Sequence, residues 1–100
     1  MIEKDVPLLN SVGKGFVVPV GNVNIVGVVV GNGLVGCGAF DVKAMDTFAC
    51  PAAKVRPVNG PSVVTVDDVL SGIVKEANNA AGALGVKVGI TGKEALDLLS

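Results

Sequence analysis

The sequence predicts an α/β protein of the α+β type: a mainly antiparallel sheet with a three-stranded meander and about three helices packed on it. Valine supplies 21 of the 100 residues, most of them in the first two-thirds, and β-branched side chains fit pleated strands better than helices. The turn signals Gly21-Asn22 and Asn32-Gly33 divide that valine-rich stretch into strands. Two capping boxes, Thr65 with Asp68 and Thr91 with Glu94, open helices in the last third. A chain of 100 residues fits one domain, residues 1–100, with a single core and no staples.

Gly15 to Val20 reads as a strand, and Pro19, which has no N–H, places it at an edge or keeps it short. Val23 to Val30 is the second strand. Asn32-Gly33 then makes a two-residue hairpin into a third, Leu34 to Ala39, because both residues tolerate positive φ. That hairpin pairs Gly31 with Leu34 and Val28 with Cys37. Alternation puts Val35, Cys37 and Ala39 on one face with Val28 and Val30. The second strand is apolar on its other face too, through Ile25 and Val29, so both faces need cover from helices or another subunit.

Asp41 caps a helix to Ala49 that turns Val42, Met45, Phe48 and Ala49 inward, and Cys50-Pro51 ends it. Ala53 to Val58 is a strand interrupted at Pro57, Asn59 to Ser62 a turn, and Val63-Val64 extended chain. After Thr65, apolar residues recur at spacings of three and four from Val66 through Val69, Leu70, Ile73, Val74, Ala77, Ala80 and Ala81 to Leu84. This predicts one helix of about five turns, with Gly85 as its C-cap. Val86-Lys87-Val88 is a short strand. The helix after Thr91 offers Ala95, Leu96, Leu98 and Leu99 to the core.

Charged residues are 17% of the chain and the mean hydropathy is +0.65. A small protein with so little charged surface is expected to hide part of it in a homo-oligomer. The net charge is −1, Lys and Arg are scattered, and only Phe16, Phe40 and Phe48 are aromatic. No nucleic acid is therefore expected as a partner. The absence of histidine removes the commonest general base and zinc ligand, and Cys37 and Cys50 form no C-x-x-C pair, so no metal or cofactor is expected. Acids at Glu3 and Asp5 stand where a signal peptide needs positive charge, which points to a reducing cytoplasm. From Gly15 to Phe40 no residue is charged, a length that spans a bilayer. Pro19, three asparagines and seven glycines break that stretch into strands instead, so no membrane is expected.

Four groups of residues carry candidate chemistry. Gly31-Asn32-Gly33-Leu34-Val35-Gly36 matches the dinucleotide-binding G-x-G-x-x-G. The helix it needs would contain Gly36 and Gly38 at roughly 1 kcal/mol each relative to alanine. The hairpin explains the same glycines. Cys37 is the one candidate nucleophile; the alternative is a small buried strand residue. Asp41 is a helix cap first and a catalytic acid second. The amides of Thr91-Gly92-Lys93, with the Lys93 ammonium, form a second candidate, an anion site at a helix start, where Glu94 is explained by the capping box.

The segment Gly33-Leu34-Val35-Gly36-Cys37-Gly38-Ala39-Phe40-Asp41 resembles the Cys-Gly-x-x-Asp signature of the YunC-like family, small bacterial and archaeal domains of unknown function. The tail from Leu84 to Leu96 is similar to that family's closing Gly-x-x-x-Gly-x-x-Gly-x-Glu-Ala-Leu pattern. The resemblance runs from about Gly15 onward. It implies a compact α/β domain and marks Cys37, Gly38, Asp41, Gly89, Gly92 and Glu94 as family positions, without assigning an activity. Self-association or partner binding by a cytoplasmic domain is the expected function. The alternatives are a thiol-dependent enzyme or redox module using Cys37 with Asp41, and a nucleotide or small-anion binder using Gly38, Gly89, Thr91, Gly92, Lys93 and Glu94. Whether the chain is an enzyme stays open among these.

Overall fold

The computed structural model describes residues 2–100. Its centre is a six-stranded sheet whose strands lie in chain order: β1 (Ile2–Pro7), β2 (Val12–Val20), β3 (Val23–Val29), β4 (Leu34–Gly36), β5 (Ala52–Arg56) and β6 (Ile73–Ala77). Four helices complete it: α1 (Val42–Asp46), α2 (Val66–Ser71), α3 (Asn79–Gly82) and α4 (Gly92–Leu99). All neighbouring strands pair antiparallel except β4 and β5, which are parallel, so the sheet is mixed. The parallel pair requires a crossover, and α1 supplies it.

β1 has no counterpart in the sequence reading. Glu3, Lys4 and Asp5 obscure its alternation, and only Val6 is buried. Those charges suit an edge strand, where they discourage pairing with another chain. Asp5 lies directly opposite Lys14 and the two form an ion pair of 2.6 Å. The β2–β3 hairpin turns at Gly21-Asn22 as predicted, with Gly21 at φ +59°. Pro19 is tolerated because β1 pairs with β2 only as far as Val17.

The next hairpin differs from the predicted one. Val29 faces Leu34 and Val28 faces Val35, so the loop is the four residues Val30-Gly31-Asn32-Gly33, closed by Val30 N–H donating to Gly33 O (2.9 Å). The parallel partner is responsible. Leu34 N–H donates to Pro51 O (3.1 Å), and a Cβ on Gly33 would overlap that same carbonyl. Gly33 is therefore held against β5's approach instead of completing a two-residue turn. The shift is even, so Val26, Val28, Val35 and Cys37 still share a face. β4 stops at Gly36 rather than Ala39. One further bond, Cys37 N–H to Val26 O (2.9 Å), precedes a turn that lays Phe40 across Gly36 and Gly27 on the opposite face. There it meets Phe16 edge-on, ring centroids 6.2 Å apart.

Asp41 does cap α1, accepting from Ala44 N–H (3.0 Å), but the helix ends at Asp46 rather than Ala49. Ala49 takes a left-handed φ of +55° and Phe48 is left 85% exposed. β5 ends at Arg56 and not Val58, and residues 86–88 form no strand.

The long helix predicted from Val66 to Leu84 is three elements: α2, β6 and α3. α2 starts on the Thr65–Asp68 capping box as expected. It stops at Gly72, where a Cβ would sit 2.9 Å from Arg56 O and Asp68 O. The β-branched pair Ile73-Val74 then aligns with Arg56 and Val55. Val69, Val74 and Ala81 are buried, one in each of the three elements. Chain 86–91 runs along the outer edge of β6, with Gly89 N–H to Val74 O (2.9 Å) and Val74 N–H to Ile90 O (2.8 Å). In α4 Ala95, Leu96 and Leu99 are buried, whereas Leu98 faces outward.

The two sheet faces are covered unequally. α2 packs on β2 and β3, α4 on β4 to β6, and the main core of Val6, Val26, Val28, Val35, Val55 and Val74 lies beneath them. On the other face α1 reaches β5, and Leu34, Val42 and Ala52 are buried apart from the main core. Over β1–β3 no helix covers that face among the described residues, and Phe40 lies across it at Gly27 and Phe16.

Both capping boxes hold a carboxylate below its ordinary range. Asp68 is lowered chiefly by the Val64 backbone N–H, with Thr65 adding to it; Glu94 is lowered chiefly by the Thr91 N–H. A pKa that is lower folded than unfolded gives stability above the unfolded pKa, lost as pH falls through the folded one. The urea midpoint is therefore expected to decline as pH is lowered from about 6 to about 3, and less steeply in the Asp68→Asn/Glu94→Gln variant. Identical slopes in the two proteins would refute the assignment.

Candidate functional site

Parallel strands leave a crevice beyond their carboxyl ends, where ligands of α/β sheets commonly lie. Here the ends of β4 and β5 border a cavity of about 260 Å³. Its polar lining comes from Asn24, Cys37, Gly38, Arg56, Ser62 and Lys75, its apolar walls from valines and prolines that include Val55 and Val63, and no acid lines it.

Each side chain arrives for a local reason. Cys37 follows the last residue of β4 on the core face, is 7% exposed, and is a free thiol. Gly38 and Ala39 make the turn after it, and neither amide has a protein acceptor among the described residues. Arg56 ends β5. Lys75 arrives through a β-bulge: Lys54 faces Glu76 but Val55 faces Val74, so Lys75 is the extra residue of β6. Bulges re-aim a side chain out of the sheet's alternation. Lys75 Nζ stands 3.6 Å from where a Cβ on Gly38 would be. Lys4, Lys14, Lys54 and Lys93 each have a carboxylate within 4 Å. Among the described residues neither Arg56 nor Lys75 does.

The other candidate residues lie elsewhere. Asp41 is occupied in capping α1 and does not line the cavity. Gly89, at φ +103°, turns the chain beside β6. In the Thr91 turn two of the three candidate amides are used within the chain: Thr91 N–H donates to Glu94 Oε1 (3.0 Å) and Gly92 N–H to Gly72 O (2.9 Å), and Glu94 N–H donates to Thr91 Oγ1 (3.1 Å). Lys93 pairs with Asp97 at 3.1 Å. Glu94 borders a separate cavity of about 300 Å³ with Leu9, Lys87 and Asp97. Gly31 to Gly36 forms a loop and a strand, and the next helix, α1, starts only at Val42, so the dinucleotide pattern is not realised.

Lys75 and Asn78 were missed by sequence reasoning. Both fall inside the stretch read as one helix, and nothing in local spacing signals a bulge or a buried hub. Asn78 is 7% exposed. Its Nδ2 donates to Val42 O (2.9 Å) and Cys50 O (2.8 Å), and its Oδ1 accepts from Ala52 N–H (3.2 Å) and Ala81 N–H (2.9 Å). It thereby locks the crossover that carries β4 into β5.

Fold and cavity together define a class: a small α+β protein in which helices cover one face of a mixed sheet and part of the other, with a cavity at the ends of its two parallel strands. Residues 36–99 match the profile of a family described as Domain of unknown function (DUF1805), and the chain belongs to that family. Among solved structures, the protein of unknown function TA1206 from Thermoplasma acidophilum is similar. The two share 23% identity over 99% of this chain and 92% of that one, with a TM-score of 0.87. At that identity the likeness concerns the fold. No curated protein matches the sequence. The family segment contains Cys37, Gly38, Arg56 and Lys75 and excludes β1–β3. Among the described residues no helix is long and apolar enough to cross a membrane.

Proposed function

We propose that the chain acts as a self-associating cytoplasmic domain, two copies packing through the open face of β1–β3. The observation that carries this reading is the exposure of Val12, Val20, Val23 and Val29, 46 to 65%, on one sheet face beside the half-buried Phe16, Val18 and Ile25. These seven apolar side chains, interrupted by Lys14 and bordered by Glu3 and Asp5 of β1, form a patch of the kind that marks an interaction site. A second copy offers the same surface, and pairing by a two-fold axis closes the assembly. The scarcity of charge, 17% of residues, supports a buried interface. We also read the chain as a YunC-like member of its family, on the Cys37-Gly38 to Asp41 signature, and as a protein that does not engage nucleic acid.

Light scattering is expected to give at least twice the monomer mass at micromolar concentration. Val20→Lys with Val29→Glu is expected to return the monomer with unchanged circular dichroism, since both side chains are exposed and Val29 faces Lys14. A monodisperse wild-type monomer at tens of micromolar would overturn the proposal.

A further inference from the structure

The geometry points to a second role: the cavity at the ends of β4 and β5, whose lining includes Arg56 and Lys75, binds a small organic anion, a carboxylate or phosphate monoester, with the Cys37 thiol at its wall. Three features converge. The two cations come from different strands and lack carboxylate partners among the described residues, and no acid lines the cavity. One of the cations is placed there by a bulge, an irregularity that interrupts the β5–β6 ladder and brings Lys75 over the side-chain-free Gly38. Among the described residues the Gly38 and Ala39 amides at the same wall have no protein acceptor. A planar guanidinium matches two oxygens of a carboxylate or phosphate, and a lysine adds a point charge.

Size and lining narrow the ligand. About 260 Å³ is close to the volume of eight or nine waters at roughly 30 Å³ each. That suits a charged head with a short chain. Val55, Val63, Pro57 and Pro61 give the chain an apolar wall. Asn24 and Ser62 offer hydrogen bonds to a hydroxyl or carbonyl on it.

Iodoacetate and iodoacetamide test this on the native protein, because they differ in one charge. In each reaction Cys37 Sγ displaces iodide from the methylene carbon, a thioether forms, and the thiol proton passes to solvent. Cys50 is the internal control: it is half-buried in a different cavity, with Leu34 and Met45 and no charged residue in its lining. Peptide mass spectrometry is expected to show an iodoacetate-to-iodoacetamide rate ratio at least several-fold higher at Cys37 than at Cys50, saturating at low-millimolar iodoacetate. Arg56→Gln with Lys75→Gln is expected to bring the ratio at Cys37 down to that of Cys50. Inorganic phosphate and butyrate are the competitors. Protection of Cys37 by the first alone assigns phosphate esters, by the second alone carboxylates. Equal ratios at the two cysteines, or a ratio unmoved by the double substitution, overturns the inference. So does a Cys37 that neither reagent modifies, together with a melting temperature unchanged by 20 mM of either competitor. The residues tested lie outside the β1–β3 face, so this result and the oligomeric state can fail separately.

Discussion

Asn78→Ala is expected to lower the stability of the domain by about 4 kcal/mol, read as a loss in the urea midpoint. Asn78 is buried and makes four hydrogen bonds, to the carbonyls of Val42 and Cys50 and from the amides of Ala52 and Ala81. Each of those groups left buried without a partner costs about 1–3 kcal/mol, reduced where water enters the space vacated. A small domain has only about 5–15 kcal/mol in total, so the variant should sit close to its folding threshold. The effect falls on one place: Asn78 ties α1 and the chain after it to β5 and caps α3. Asn78→Asp separates cap from hub. Its carboxylate still accepts from the Ala52 and Ala81 amides, but its second oxygen meets two carbonyl oxygens, so it is expected to be at least as unstable near neutral pH. A loss under about 1 kcal/mol in Asn78→Ala would mean the network is dispensable.

Gly92→Ala is the second large effect, about 3 kcal/mol. Gly92 is the first residue of α4, and a Cβ there would overlap the Val69 carbonyl of α2. Neither partner is a flexible side-chain end, so α4 must move off α2 and carry Leu96 and Leu99 out of the core. Gly89 offers the comparison. Its φ of +103° strains an alanine, but nothing stands within 4 Å of the new Cβ, so Gly89→Ala is expected to cost only about 1–2 kcal/mol. Urea unfolding of both variants checks the order; Gly92→Ala as stable as wild type would place α4 wrongly. Both glycines belong to the family-like tail, and both have backbone reasons to be glycine before any ligand is invoked.

Much of the local structure was legible. The Gly21-Asn22 turn, the caps at Asp41, Thr65 and Thr91, and the burial of Val26, Val28, Ala95, Leu96 and Leu99 all follow from interactions within a few residues or from simple alternation. The failures share a cause. β1 was hidden by three consecutive charges that only make sense at an exposed edge. The segment Val66 to Leu84 has helical spacing throughout, yet Ile73–Ala77 pairs with β5, where a strand satisfies the backbone of both. Of the candidate site, Cys37 and Gly38 were visible as residues. That Arg56 and Lys75, distant in sequence, line the same cavity was not.

The sequence by itself determined the strand-rich first half, the turns and the helix starts of this DUF1805 protein, because valine stiffness, glycine φ and side-chain caps act locally. It also determined that few functional groups are available, with two cysteines and no histidine. The tertiary structure decided the parallel β4–β5 pair, the four-residue loop at Val30–Gly33, the conversion of mid-helix into β6, and the bulge that brings Lys75 over Gly38. Those choices depend on which strand edges meet across the chain. There, the hydrogen bonds of a ladder and the burial of its side chains outweigh local propensities worth at most about 1 kcal/mol per residue.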